Sequence, residues 1–207
     1  MYPDILALSI FLFVGAFSPG PNNLLASYSG FNFGIKKTLP LIYGVTFGFP
    51  IVLIAVNSGL AIVFNQFLLL QNILKILGSG FLIYMAYKIA VSSKSEEKEI
   101  KNPAKFFNMI VFQFINPKAV LIAIITVSTF ISQNENFFRD SIIVVGFAIF
   151  FSFTSIMSWS LLGKFLRRFA SNDKFFKLYN YAMSFLLIIC VITVSYTHLT
   201  LPTICSV

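Results

Sequence analysis

The chain is poor in acidic residues, and none of the seven lies inside a long apolar run. They are Asp4, Glu96, Glu97, Glu99, Glu135, Asp140 and Asp173, and we expect each at a terminus or in a loop. A carrier of metal cations or protons needs carboxylates at mid-membrane depth, and many hydrolases need paired catalytic carboxylates. This scarcity argues against all three functions. We therefore expect no metal site, no cofactor and no enzyme activity.

Histidine and cysteine are also scarce. The only histidine is His198, and the spacing of Cys190 and Cys205 matches neither a metal motif nor a disulfide framework. The net charge of +8 would suit a nucleic-acid partner. However, the basic residues cluster beside apolar runs instead of forming one patch interleaved with aromatic residues, so we expect no nucleic-acid binding.

What the chain does contain is apolar sequence, with 57% hydrophobic and 11% charged residues and a mean hydropathy of +0.87. Soluble domains have about 25% charged residues. A membrane-spanning helix needs about 20 mainly apolar residues, and six segments qualify. They are residues 5–29, 39–64, 67–91, 106–131, 141–162 and 178–194. The N-terminus lacks a positive region, so we expect the first segment to remain as a membrane helix and not to be cleaved as a signal.

The most polar stretch, residues 92–105, separates two halves of three spans each, 1–91 and 106–194. An odd number of spans gives the two halves opposite orientations, so we predict one all-α transmembrane domain over residues 1–194 with inverted halves. Of the 15 Lys and Arg residues, 12 fall in loops on one side and 2 on the other. The positive-inside rule then predicts cytoplasmic basic loops and outward-facing termini. Residues 195–207 resemble a translated adaptor tail, and we predict that they are not native.

Each half contains a break 10 to 15 residues into its first span. The first break is Ser18-Pro19-Gly20-Pro21-Asn22-Asn23, and the second is Asn116-Pro117-Lys118. Proline inside a helix removes a backbone donor, and in hydrocarbon the freed groups survive only in protein or beside a polar cavity. We expect Ser18 to cap a half-helix that begins at Pro19, and Asn116 to cap one that begins at Pro117. Matched breaks in two halves indicate a transporter's binding site.

Lys118 is the one charged residue well inside a predicted span. A lysine in the first turn of a helix is unfavourable, because its charge opposes the helix dipole. We therefore expect the Lys118 ammonium to be stabilised by a group outside its own helix. We favour a functional role, because intramembrane charges are functional by default and the half-helix ends would suit a carboxylate. The alternative is that Lys118 reaches the lipid headgroups or satisfies unpaired carbonyls of the first break.

Other polar residues in the spans are weaker candidates. They are Tyr43, Thr46, Asn57, Asn108, Gln113, Thr126, Ser128 and Ser155. We add Gln113 to the candidate site, because it lies three residues before Asn116. Serine and threonine in spans more often bond their own helix or hold helices together. For Gly44, Gly48, Gly78 and Gly80 we expect close helix packing.

These residues also carry a family resemblance. Over residues 1–194 the chain resembles the lysine exporter and threonine/homoserine exporter superfamily. The resemblance is carried by Phe17 to Leu25, Gly34, Gly44, Ala86 to Ile89 and Phe114 to Ala119. The Pro-Gly-Pro-Asn-Asn form, together with residues 113–116 and 127–130, is most similar to the cysteine/O-acetylserine exporter branch. The resemblance implies amino-acid export across the bacterial inner membrane. The family motif falls here on Pro19, Gly20, Pro21, Asn116, Pro117 and Lys118.

From residues and resemblance together we expect a six-helix exporter of small, neutral amino acids that works by alternating access. The expected binding residues are Pro19, Gly20, Pro21, Asn22, Asn23, Gln113, Asn116, Pro117 and Lys118. We expect the half-helix ends and Lys118 to attract the substrate carboxylate, and exposed carbonyls with the two asparagine amides to receive its ammonium. The expected partners are the substrate and the lipid bilayer. The oligomeric state, a homodimer included, stays open. The alternatives are a membrane scaffold without transport and, less favoured, an ion exporter.

Overall fold

The computed structural model describes residues 3–60, 68–91, 104–132, 135–169 and 173–197. This part of the chain is all-helical, as predicted. Its seven α-helices are α1 (Ile5–Phe17), α2 (Pro21–Ala55), α3 (Leu68–Val91), α4 (Phe106–Ile115), α5 (Pro117–Phe130), α6 (Phe137–Leu166) and α7 (Asp173–Thr197). A π-helical turn, Val56–Leu60, follows α2, and a 3-10 turn, Arg167–Phe169, follows α6. The predicted non-native tail overlaps the end of α7, and residues 198–207 lie outside the described residues.

Three stretches of the described chain are long and apolar enough to cross a membrane: Pro21–Gly59, Phe137–Phe169 and Asp173–Ile192. Helices α4 and α5 qualify together as a fourth, broken span with a bend of 68°. The apolar helices Ile5–Phe17 and Ile76–Val91 are shorter. Length and composition thus support three or four spans, and six spans in two inverted halves stay a prediction.

The connection between the first two predicted spans differs from expectation. We expected one span to end at Ser29 and the next to begin at Leu39, with a loop between them. Instead, two helical parts of α2 meet directly in a kink at Gly34, whose φ of 72° and ψ of 170° are not helical. Glycine tolerates this left-handed φ because it has no Cβ. One residue therefore redirects the chain where we expected a loop.

Helix α2 is the centre of the packing and contacts α4, α5, α6 and α7. Its tightest contact is with α6, where a Cβ at Gly30 would overlap the Ser160 carbonyl and one at Gly163 would overlap the Ser27 carbonyl. The expected packing role is confirmed for Gly44 and Gly48, which lie against α4, and for Gly78, which lies against Ile115. It is wrong for Gly80, where a Cβ would meet no atom of the described residues within 4 Å.

The expected location of Asp140 in a loop is also wrong. Helix α6 begins at Phe137, so Asp140 lies in its first turn, and it is fully buried. Its carboxylate accepts hydrogen bonds from the Ser132 hydroxyl, the Ser132 backbone N–H and the Arg139 guanidinium. Negative charge is favourable at a helix N-terminus. Burial of this carboxylate is thus compensated by three donor groups and the helix dipole.

Basic residues lie near the α2 kink, the end of α6 and the start of α7, and these three parts of the fold contact one another. Arg167, after α6, donates a hydrogen bond of 3.2 Å to the Asn32 carbonyl near the α2 kink. Phe31 of α2 stacks on Tyr179 of α7 at a ring distance of 4.1 Å. The exposed side chains of this end include Lys36, Lys37, Lys164, Arg168, Lys174 and Lys177.

Candidate functional site

The first break is confirmed, but its capping differs from the prediction. Helix α1 ends at Phe17 with Ser18 as its C-cap, and α2 begins at Pro21 with Gly20 as its N-cap. The expectation that Ser18 caps a helix starting at Pro19 is therefore wrong. Proline at Pro21 suits the first helical position, because the N–H that it lacks has no intrahelical partner there. Gly20 is extended, with φ −172°, and offers no side-chain cap.

The second break follows the prediction. Helix α4 ends at Ile115, and α5 begins at Pro117. The Asn116 side chain caps α5 by accepting a hydrogen bond of 3.2 Å from the Lys118 backbone N–H. Asn116 is buried, with 2% of its surface exposed. Helices α1 and α4 have 13 and 10 residues, so each break has the predicted distance from the start of its span.

The two breaks meet through Lys118. Its Nζ donates to the Ser18 carbonyl at 2.7 Å, to Ser18 Oγ at 2.9 Å and to the Pro19 carbonyl at 3.4 Å. These oxygens follow the C-terminal end of α1, where the helix dipole favours a cation. This contact explains a lysine in the first turn of α5. In this conformation Lys118 takes the role given as the alternative, since it satisfies carbonyls of the first break.

A second link between the breaks is a pair of side-chain amides. Asn22 Nδ2 donates to Gln113 Oε1 at 2.7 Å, and Gln113 Nε2 donates back to Asn22 Oδ1 at 3.2 Å. Gln113 also donates to the Met109 carbonyl in its own helix, at 2.9 Å, and is fully buried. The pair ties the start of α2 to the end of α4. Gln113 is thus adjacent to both breaks.

The last carbonyls of α1 are occupied by protein side chains. Asn23 Nδ2 donates to Ala16 and Ser18 carbonyls at 2.7 and 2.9 Å. From α6, Ser155 donates to the Ala16 carbonyl at 2.7 Å, and Trp159 Nε1 donates to the Phe17 carbonyl at 3.2 Å. The expectation of exposed carbonyls is therefore wrong for this conformation. Buried carbonyls need partners, and the break would otherwise leave these without any.

Trp159 was missed by sequence reasoning, and Ser155 was only a weak candidate. Both lie on α6, more than 130 residues along the chain from the carbonyls that they bind. A single tryptophan in a membrane protein gives no signal of its own, because it fits an interfacial position equally well. Only the packing of α6 against α1 identifies the two residues.

Each half-helix begins with backbone N–H groups that have no partner within the helix. The first intrahelical bonds join Leu24 N to the Gly20 carbonyl and Val120 N to the Asn116 carbonyl. The N–H groups before them have no partner inside the helix. In α2 these belong to Asn22 and Asn23, and in α5 the Ala119 N–H is left after Asn116 caps Lys118. Positive dipole ends of two helices thus lie beside the negative end of α1.

A cavity of about 60 Å³ lies at this point. Gly20 to Asn23 of the first break line it, as do Asn116, Lys118 and Ala119 of the second. The remaining lining is largely apolar and comes from α1, α2, α5 and α6; it includes Leu12, Phe49, Ile122, Ala148 and Phe151. No acidic side chain is among the described residues that line the cavity. The volume is enough for several water molecules.

Comparison with known proteins decides the family. The model of the family described as "LysE type translocator" matches residues 13–197. The chain belongs to this family. It is therefore a multi-pass membrane translocator and not an enzyme, and the resemblance seen in the two motifs is confirmed. Family membership also favours transport over the scaffold interpretation.

Several relatives of this LysE type translocator have similar length. A cysteine/O-acetylserine efflux protein of Escherichia coli O139:H28 is 26% identical over 95% of this chain and its own full length. Proteins of the same name in Shigella sonnei and Salmonella paratyphi A are each 25% identical with the same coverage. No solved structure matches the chain.

Proposed function

We propose that this translocator exports small, neutral amino acids of the cysteine and O-acetylserine kind from the bacterial cytoplasm. The observation that carries the proposal is the convergence of two half-helix N-termini, one half-helix C-terminus and Lys118 on one small cavity. An amino acid is a zwitterion, and this arrangement offers backbone dipoles of both signs within one site.

The carboxylate half of the proposed site is formed by the starts of α2 and α5. Free N–H groups at a helix N-terminus bind anions, and the helix dipole adds to the attraction. Lys118 lines the same cavity and can contribute its charge when its ammonium leaves the α1 carbonyls. The backbone at the end of α1 and at the starts of α2 and α5 is shaped by Pro19, Gly20, Pro21, Asn116 and Pro117.

The rest of the cavity limits the substrate side chain. Its apolar lining includes Leu12, Phe49, Ile122 and Phe151. The described lining residues offer no carboxylate to pair with a cationic side chain. A neutral side chain fits this lining, and the small volume favours a short one. The printed names of the distant relatives support the same substrate class.

The proposed topology has six spans in two inverted halves, with each break inside the first span of its half. The exposed basic residues near the α2 kink, the end of α6 and the start of α7 would face the cytoplasm. The bend at Gly34 would then be the first cytoplasmic turn. Reporter fusions at Lys36 and Lys177 test this orientation, and activity of a periplasmic reporter at either position would contradict it.

The substrate proposal is tested by thermal stabilisation of the purified protein and by export from cells. Cysteine, O-acetylserine, serine and alanine should stabilise the protein, whereas their amides, which lack the carboxylate, should not. Expression should also raise resistance to toxic analogues of the same amino acids. Stabilisation by the amides as strongly as by the acids would contradict the carboxylate site, and a response to metal salts alone would indicate an ion exporter.

Lys118→Ala should abolish export while the protein still inserts, because the site loses its only cation among the lining residues. Lys164→Ala is the matched control, since Lys164 is exposed near the end of α6. Unchanged export by Lys118→Ala would remove Lys118 from the site.

A further inference from the structure

The environment of the Lys118 ammonium resembles a binding site for a free ammonium group. Three oxygens accept from Nζ, at 2.7, 2.9 and 3.4 Å, and two of the three are backbone carbonyls. Gly20 leaves space for the side chain, because a Cβ there would lie 2.9 Å from Lys118 Cδ and 3.0 Å from Nζ. An ammonium group has three N–H donors, and here three acceptors surround it.

The α-ammonium of an amino acid has the same charge and the same three donors as the lysine side chain. The acceptors are dipoles with no net charge, and none of the described lining residues is acidic. Two ammonium groups on the same carbonyls would repel each other without a carboxylate to offset them. The carbonyls can therefore hold the lysine or the substrate, but not both.

We propose that Lys118 is a tethered substitute for the substrate ammonium. Its Nζ occupies the Ser18 and Pro19 oxygens, the ammonium half of the site, whenever the carrier is empty. This inference rests on the proposed function. When substrate enters, its ammonium takes the Ser18 and Pro19 carbonyls, and Lys118 Nζ turns to the carboxylate at the starts of α2 and α5. The same carbonyls are then satisfied in the empty and the loaded states. Asn23 keeps its own hydrogen bond to the Ser18 carbonyl in either state, so what the lysine adds in the empty carrier is a charged donor to that carbonyl and to the Pro19 carbonyl. An empty carrier can thus change its orientation without burying the Pro19 carbonyl unpaired.

The test separates net efflux from exchange in proteoliposomes that contain the full chain. Lys118→Met keeps the apolar stem and removes the cation. In exchange, substrate is present on both sides and supplies the ammonium each time the carrier turns, whereas net efflux requires the empty carrier to return. Lys118 also contacts the substrate carboxylate in the loaded carrier, so both rates of Lys118→Met should fall. Net efflux should fall by about tenfold or more beyond the fall in exchange at saturating substrate, because only the empty carrier loses the charged hydrogen bonds to the Ser18 and Pro19 carbonyls. Both rates of Lys164→Met should stay within about threefold of wild type.

A parallel fall of both rates in Lys118→Met would overturn the inference, and so would unchanged net efflux. The first result would mean that Lys118 acts on the loaded carrier, for example as a carboxylate ligand only. Absence of exchange and of amino-acid stabilisation in the wild-type protein is a different outcome. It would contradict the proposed function itself, and the inference with it.

A second measurement does not depend on transport. In Lys118→Ala the space of the missing side chain should admit propylammonium, whose charge would reach the Ser18 and Pro19 carbonyls. We expect propylammonium to raise the unfolding temperature of Lys118→Ala but not that of Lys118→Met, in which the methionine fills the space, nor that of wild type. Equal effects on all three proteins, or no effect on Lys118→Ala, would show that these carbonyls do not form an ammonium subsite.

Discussion

The amide pair between Asn22 and Gln113 gives the most direct energetic test of how the two breaks are held together. Two hydrogen bonds join these side chains, at 2.7 and 3.2 Å. Hydrogen bonds between membrane helices contribute about 0.6 kcal/mol each on average. We therefore expect a coupling free energy of about 1 kcal/mol between the two positions.

A double-mutant cycle measures this coupling. Asn22→Ala leaves the fully buried Gln113 amide without its partner on α2, which should cost about 1–3 kcal/mol of unfolding free energy. Gln113→Leu keeps much of the side-chain volume and removes the amide. Because either substitution breaks both bonds, the double variant should be less destabilised than the sum of the two single variants, by about 1 kcal/mol.

The assay is reversible unfolding in detergent micelles, with substrate absent. The control cycle combines Asn22→Ala with Ser158→Ala, because Ser158 is exposed and, in the described part of the chain, its hydroxyl bonds the Thr154 carbonyl of its own helix. That pair should be additive within about 0.5 kcal/mol. If the Asn22 and Gln113 variants were equally additive, the amide pair would not hold the breaks together, and the reasoning from its geometry would be wrong.

Three further changes test other contacts of the fold and the site. Gly30→Ala should lower the free energy of unfolding by about 3 kcal/mol or more, because its Cβ would overlap a backbone carbonyl of α6. The control Gly80→Ala should be neutral or slightly stabilising. Chemical unfolding measures both, and a neutral Gly30→Ala would contradict the contact. Gly34→Ala should cost about 1–3 kcal/mol, measured in the same way, because φ 72° with ψ 170° is a backbone conformation that essentially only glycine adopts. An increase in stability would contradict the kink. Trp159→Phe should lower the free energy of unfolding by about 1 kcal/mol, because it removes the donor to the Phe17 carbonyl, the last carbonyl of α1. Calorimetry measures this change, and unchanged stability would mean that the carbonyl has another partner.

Much of the architecture follows from local chemistry. The apolar runs predict helices because backbone groups in hydrocarbon must be satisfied within the segment. Proline at positions 21 and 117 ends that regularity, so both breaks are readable from the sequence. Asn116 and Pro117 take their predicted positions because capping depends on residues within one turn. The capping of the first break was harder to predict, since two prolines surround Gly20 and either could begin the helix.

The sequence therefore determined the helical class, the location of both breaks, the exceptional position of Lys118 and the family. Tertiary structure decided which groups those breaks present to each other. Ser155, Trp159 and Lys118 reach the end of α1 from helices 99 to 142 residues away in the chain, and no local pattern encodes such contacts. Likewise, only packing shows that the α1 carbonyls are already occupied. The physical reason is that a cap is formed within one helical turn, whereas satisfying a broken helix depends on whichever side chains the neighbouring helices bring against it.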